Sequence, residues 1–245
     1  MISFEGHTAF VTGAAGGIGL ATAELFFRHG ARLMLTDLDE GALRLFAQSH
    51  DPAGHAIAFR PLDVTSSHAC SRAMEAAAEK FGGIDSLVHC AGIYPESLIE
   101  NTSDEDWRRT LQVNLDGTFF ICRAALPYLR KSSSVVLLAS IAAARGSHGH
   151  AAYAASKGAM TSFARSLAME AGPDTRVNAV APGIIATAMT ESLIAQRGQD
   201  LLDRTTLGRH GTAADVAGVI AFLCSPLSGF MTGEILHVNG GLYMG

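Results

Sequence analysis

The tightest constraint comes early: the short apolar run Thr8-Ala9-Phe10-Val11 breaks into Thr12-Gly13-Ala14-Ala15-Gly16-Gly17-Ile18-Gly19, and a helix-forming stretch continues to about His29. A buried strand that turns through glycines into a helix lets backbone amides approach a phosphate, whose charge the helix N-terminus favours. The pattern then repeats. Apolar runs at 32–36, 56–59 and 86–89 alternate with helical segments, the clearest at 67–81, and further strands are expected at 135–139 and 176–180. This βαβαβ alternation with short connections implies an α/β fold, a Rossmann-type doubly wound parallel sheet with helices on both faces. With 245 residues, 48% of them apolar, the chain can bury one large core, and a single domain over 1–245 is expected.

In a sheet of this kind ligands bind at the carboxyl ends of the strands, where Gly13, Asp37, Asp63, Ala91 and Ser140 all fall. Asp37 ends the strand at 32–36, about 20 residues past the glycines, where a carboxylate can accept both hydroxyls of an adenosine ribose. A 2′-phosphate would meet a like charge there. No arginine or lysine stands at Ala14, Ala15 or Gly16, and Leu38 follows Asp37, so NAD(H) is favoured over NADP(H). The competing reading of Asp37 is a plain turn residue at a strand end.

The strand at 135–139 delivers Ser140, and a loop leads to a helix that begins near Tyr153 in Tyr153-Ala154-Ala155-Ser156-Lys157. Four residues make about one helical turn, so Tyr153 and Lys157 share a face, and the ammonium is expected to lower a phenol that ordinarily titrates near about 10. A hydroxyl at Ser140 can hold a carbonyl or alcohol oxygen while Tyr153 exchanges a proton with it. That is the chemistry of alcohol–ketone interconversion. A Tyr-x-x-x-Lys pair also occurs on ordinary surface helices, so its weight lies in this context.

The net charge of −5 and the absence of a basic run argue against nucleic acid and anionic membrane surfaces. No apolar stretch is long enough to span a membrane, and Met1-Ile2-Ser3-Phe4-Glu5 is not a charged leader, so an unexported, cytoplasmic protein is expected. Cys70, Cys90, Cys122 and Cys224 lack paired spacing and are expected to be reduced and mostly buried. Ten histidines include no H-E-x-x-H, the nearest pair being His148 and His150, so no metal is expected.

The glycine turn at Thr12, Asp63-Val64, Cys90-Ala91-Gly92, Asn114, Ser140, Tyr153 with Lys157, and Pro182-Gly183 stand in order along essentially the whole chain. Together they resemble the short-chain dehydrogenases/reductases. The ends, Phe4-Glu5-Gly6 and Gly233-Glu234-Ile235-Leu236-His237-Val238-Asn239-Gly240-Gly241, are most similar to the 3-oxoacyl-acyl-carrier-protein reductase branch. The resemblance implies that Tyr153 is the general acid in reduction and the base in oxidation, that Lys157 lowers its pKa and bonds the nicotinamide ribose, and that Ser140 orients the reacting oxygen. It places Asn114, in an expected helix over 103–129, at a kink where an ordered water connects the lysine to solvent. Gly13, Gly17, Ile18 and Gly19 would pack under the pyrophosphate and adenosine, Asp63 and Val64 would meet the adenine, and Cys90, Ala91 and Gly92 would line the ribose. Pro182, Gly183, Ile185 and Thr187 would serve the nicotinamide. A homotetramer is also implied, joined through the helices from Ser103 and Tyr153 and through the C-terminal segment.

The sequence departs from that pattern in three places. His89-Cys90 replaces a pair of asparagines that brace neighbouring strands. Gly16 stands where the carrier-protein reductases carry a basic residue for NADPH. Lys131 is one candidate for docking an acidic carrier protein, but Ala171-Gly172-Pro173-Asp174 is acidic where a second basic residue is wanted. The preferred expectation is therefore an NAD-linked dehydrogenase of a small secondary alcohol. The alternative is an NADPH-dependent 3-oxoacyl-acyl-carrier-protein reductase, and a more distant one a non-catalytic NAD-binding sensor or scaffold. Tyr94, Arg145, His148 and His150 are candidates for the substrate pocket, under a mobile lid at 184–206.

Overall fold

The computed structural model describes residues 2–244, so Met1 and Gly245, the ends of the expected unit, lie outside the described residues. The chain runs β1 (Thr8–Thr12), α1 (Gly17–Arg28), β2 (Arg32–Asp37), α2 (Glu40–His50), β3 (Ile57–Pro61), α3 (Ser67–Phe81) and β4 (Ile84–His89). It continues through α4 (Asp104–Leu111), α5 (Gly117–Ala125), β5 (Leu129–Leu138), α6 (Ala142–Arg145), α7 (Ala151–Ala171), β6 (Thr175–Pro182), α8 (Glu191–Asp203), α9 (Ala213–Cys224) and β7 (Ile235–Val238). All strand pairs are parallel, in the order β3-β2-β1-β4-β5-β6-β7. The expected doubly wound sheet is present. The strand order reverses between β1 and β4, where Thr12 lies beside His89, and the switch point opens the crevice in which such folds bind ligands.

Both faces of the sheet are covered, which is why its strands read as continuous apolar runs rather than alternating ones. Phe10, Leu87, Val135 and Leu137 pack with α3, α5 and α7 through Met74, Ile121 and Met160. Val11, Leu35, Val88 and Val136 pack on the other side with α1 and α9 through Phe26, Val216 and Ile220. Burying one such side chain is worth about 1.5–3 kcal/mol, so the strand ends that carry polar groups are held on a stiff frame.

Helix starts follow local chemistry. Asp39, Ser66, Ser103 and Thr212 cap α2, α3, α4 and α9 with side-chain oxygens. α1 begins at Gly16 with no side-chain cap, which leaves its first amides without a local side-chain acceptor. The helix expected over 103–129 is not continuous. α4 passes through a single π turn, Gln112–Asp116, into α5, and β5 already begins at Leu129. Among the described residues no helix is long and apolar enough to cross a membrane.

Candidate active site

The turn after β1 is shaped by close approach. Gly13 has φ +64°, and a Cβ there would lie 2.6 Å from the backbone nitrogen of Ala91; one on Gly19 would lie 2.1 Å from the Gly13 carbonyl oxygen. These glycines bring α1 and the β4 end together, and a side chain at either would part them. Gly17 does the same against Thr187, whose Cγ2 would be 2.6 Å from an added Cβ. Gly17 and Gly19 therefore shape the site without lining it.

A cleft of about 660 Å³ opens over the switch point, and Gly13, Gly16, Asp37, Asp63, Val64, Cys90, Ala91 and Gly92 line it. Asp37 accepts hydrogen bonds from the Ala15 amide at 3.0 Å and the Asp39 amide at 3.2 Å, so its carboxylate also stiffens the glycine turn. Leu38 beside it is exposed and apolar, while Arg108 and Arg109 of α4 line the same cleft. Asp63 accepts from the Thr65 amide and hydroxyl at 2.9 and 2.7 Å.

His89 restores the bracing that its position was expected to lose. Its Nδ1 lies 2.8 Å from Thr12 Oγ1, which accepts from the Ala91 amide at 3.3 Å, so the ring ties β4 to β1. Complete burial pushes its pKa down to about 3, so the ring is neutral, and its Nε2 has no partner among the described residues. Burial also pushes the Cys90 thiol up to about 12, which keeps it a thiol.

The cleft continues into a smaller hollow lined by Ile18, Ser140, Tyr153, Lys157, Pro182, Gly183, Ile185 and Thr187. Thr187 heads the short 3-10 turn Ala188–Thr190, and β6 delivers Pro182 and Gly183. Ser140 follows β5, and its Oγ accepts from the Ala142 amide at 3.1 Å. Tyr153 and Lys157 ride one turn apart on α7, as their spacing predicts.

The electrostatics differ from the sequence expectation. Lys157 is 3% exposed, its Nζ donates to the Leu138 carbonyl at 2.6 Å, and it stands 5.7 Å from the centre of the Tyr153 ring. Burial pushes the Tyr153 phenol up to about 12, with hydrogen bonding to Ser140 opposing the rise, and pushes Lys157 down to about 8. Desolvation outweighs any help from the ammonium, because that charge is turned toward a carbonyl. Tyr153 is thus a protonated donor at neutral pH, the state that ketone reduction requires.

Asn114 sits in the π turn, fully buried. Its Nδ2 donates to the Ile93 carbonyl at 2.9 Å and Ser156 Oγ at 3.1 Å, and its Oδ1 accepts from the Ile93 amide at 2.8 Å. Asn114 therefore clamps the segment after Gly92 to α7. An added Cβ on Gly92 would lie 3.1 Å from Asn114 Oδ1 and 3.5 Å from Lys157 Nζ, so both side chains close over Gly92.

On the substrate side, Tyr94 and Arg145 line a pocket of about 60 Å³ with Ser140 and Tyr153, and Leu193 of α8 closes it. His150 does not line it. That ring stacks behind Tyr94 with centroids 3.9 Å apart and lines a separate hollow with Pro95 and Glu96, and the pocket's lining does not include His148 either. Tyr94 meets Tyr153 edge-on at 4.6 Å, an aromatic contact that the sequence did not signal.

The comparisons with known proteins agree with this fold. The family model described as enoyl-(acyl carrier protein) reductase matches residues 13–243. The structure of a protein from Brucella melitensis titled "short-chain dehydrogenase/reductase SDR:Glucose/ribitol dehydrogenase" superposes with a TM-score of 0.97 at 49% identity, covering 100% of this chain and 99% of that one. The chain is a short-chain dehydrogenase/reductase. Curated relatives of this dehydrogenase/reductase include the 3-oxoacyl-[acyl-carrier-protein] reductase FabG of Thermotoga maritima, 36% identical over 97% of this chain and 98% of that protein. The short-chain reductase protein NovJ of Streptomyces niveus is 38% identical over 95% and 92%. Membership makes the chain an oxidoreductase of a family that uses a nicotinamide cofactor. The uncapped first turn of α1, the glycine approach to Ala91 and the acidic end of β2 fit such a group.

Proposed function

We propose that this short-chain dehydrogenase/reductase interconverts a small secondary alcohol and its ketone with NAD(H), Tyr153 carrying the proton. The observation that carries the reading is the convergence of Tyr153, Ser140 and Lys157 on one hollow continuous with the cleft that Asp37 borders. The cofactor, when bound, supplies or accepts the hydride. Ser140 holds the substrate oxygen, Tyr153 donates its proton to that oxygen in reduction and takes it back in oxidation, and Lys157 holds the nicotinamide ribose. Asp37 receives the adenosine ribose hydroxyls, and Asp63, Val64, Cys90, Ala91 and Gly92 form the wall along the adenosine half. Pro182, Gly183, Ile185 and Thr187 hold the nicotinamide side. Segment 184–206 acts as the lid, and the whole of 1–245 as one domain.

A second reading, the NADPH-dependent 3-oxoacyl-acyl-carrier-protein reductase, is favoured by the curated relatives named above and by Arg108 and Arg109 at the cleft. Lys131 weakens it. That residue lies in the N-terminal half of β5, at the end of the sheet away from Ser140, where it does not mark the substrate entrance. Exposed Phe119, Leu126 and Met169 on and beside α5 and α7 suit burial between subunits of a homotetramer.

The deciding experiment compares NADH and NADPH binding to the purified protein, then offers acetoacetyl thioester with whichever binds. NADH preference without thioester reduction is the expected result. NADPH preference with rapid thioester reduction would replace it with the second reading.

A further inference from the structure

The walls of the substrate pocket narrow the substrate class, provided that Tyr153 and Ser140 act on a secondary alcohol or ketone as proposed above. The pocket beside the two hydroxyls encloses about 60 Å³, with apolar walls from Ile184, Met189 and Leu193. Among the described residues lining it, Arg145 is the charged one. It stands at the C-terminal end of α6, exposed, and enters no ion pair among the described residues.

Its charge surroundings are cationic. Partial desolvation first, then the charge of Arg204, hold its guanidinium below the usual arginine range, with Tyr94 opposing and Arg197 adding a smaller push. Arg197 is paired with Asp200 at 3.2 Å; Arg204 is in no ion pair among the described residues. Glu96 acts on Tyr94 but lines the separate hollow with His150.

A guanidinium without a carboxylate partner in the wall of a small pocket of mixed polarity is a ready acceptor of an anion, and an anion entering the pocket satisfies it. A guanidinium matches a carboxylate in a planar, bidentate pair. We propose that Arg145, backed by Arg204, selects a substrate whose reacting carbon lies a few bonds from a carboxylate, a short hydroxy or oxo acid. The proposal also separates the two readings of function, since a carrier-bound thioester presents no carboxylate there.

Isothermal titration of the purified full-length protein, with and without NADH, reads the preference independently of turnover. The probes are pyruvate and acetoacetate, each beside its methyl ester. The acid of at least one pair should bind at least about 10-fold more tightly than its ester, the Arg145→Met variant should erase most of that ratio while keeping NADH affinity, and Arg145→Lys should keep part of it. Acids that bind no better than their esters would overturn the proposal, as would a preference that survives in both Arg145→Met and Arg204→Met. Inorganic phosphate competing as well as the preferred acid would overturn the carboxylate assignment. Acid preference in binding with no absorbance change on any hydroxy or oxo acid would leave this inference standing and sink the proposed reaction.

Discussion

The cofactor-side cleft and the substrate-side pocket are built in different ways. At the cleft, Thr12 and Asp37 sit at the ends of buried strands and Asn114 in the π turn behind it, and all three are already bonded: Asp37 to the Ala15 and Asp39 amides, Thr12 to the Ala91 amide and the His89 ring, Asn114 to the Ile93 backbone and the Ser156 hydroxyl. In the pocket, the charged group is an exposed arginine on a short helix, and the closing wall comes from α8 and the turn before it. The first region is fixed by bonds it already makes, and the second leaves its charged group without an ion pair among the described residues. Under the function proposed above, substrate choice would then be separable from cofactor binding.

Breaking the chemistry while sparing the cleft gives the largest effect. Tyr153→Phe should lose about 10³-fold in turnover and keep its NADH dissociation constant, because the ring still packs and only the proton is gone. Stopped-flow turnover alongside NADH fluorescence checks this, and substantial residual turnover would remove Tyr153 from its role.

Breaking the cleft itself comes next. Gly13→Ala forces a Cβ to within 2.6 Å of Ala91 N at a φ of +64°, so NADH binding should weaken at least about 10-fold, or the fold should lose about 1–3 kcal/mol in chemical denaturation. Unchanged binding and stability would show that the turn relaxes.

Removing the charge at the end of β2 is gentler. Asp37→Asn leaves one oxygen to accept where two take the Ala15 and Asp39 amides, so the turn loosens at one bond, and it removes the repulsion toward a 2′-phosphate, so the NADH-to-NADPH affinity ratio should fall by about 10-fold, or roughly 1.4 kcal/mol. A constant ratio would mean that Arg108 and Arg109, not Asp37, set the choice.

The smallest effect is a pH dependence. Lys157 has its folded pKa lowered from 10.5 to about 8, so the unfolded chain binds the extra proton over that range. Stability from this group therefore rises with pH between about 8 and 10.5, while the ammonium available to the ribose is lost above about 8. NADH affinity should weaken modestly through that window, and the inflection should be absent in Lys157→Met.

Much of the fold was legible because parallel strands buried on both faces leave unbroken apolar runs, and because glycines mark the turn between β1 and α1. Positions at strand ends follow from that frame, so Gly13, Asp37 and Asp63 line one cleft and Ser140 the hollow that adjoins it. The break at Gln112–Asp116 follows from the family resemblance, which implies a kink at Asn114, and not from the residues themselves, since nothing in Gln112-Val113-Asn114-Leu115-Asp116 forbids an α-helix. Spacing placed Tyr153 beside Lys157 but said nothing of burial, and burial sets the direction in which each pKa moves. The pairing of His89 with Thr12 joins residues 77 positions apart, and only the sheet register brings them together. His148 and His150 follow Ser140 in the chain, as Arg145 does, yet of the three only Arg145 reaches the pocket, and the stack on Tyr94 turns His150 to the other side.

α7 is a single rod of 21 residues that carries Tyr153, Ser156 and Lys157, while Ser140 belongs to the sheet. If that rod tilts or slides, the spacing among its own three side chains is preserved, and what changes is their reach to the sheet, to Ser140 and to the Leu138 carbonyl that Lys157 holds. The hydrogen bond from Asn114 to Ser156 ties the same rod to the π turn. The geometry proposed for catalysis thus rests on how one rigid helix lies against one strand end.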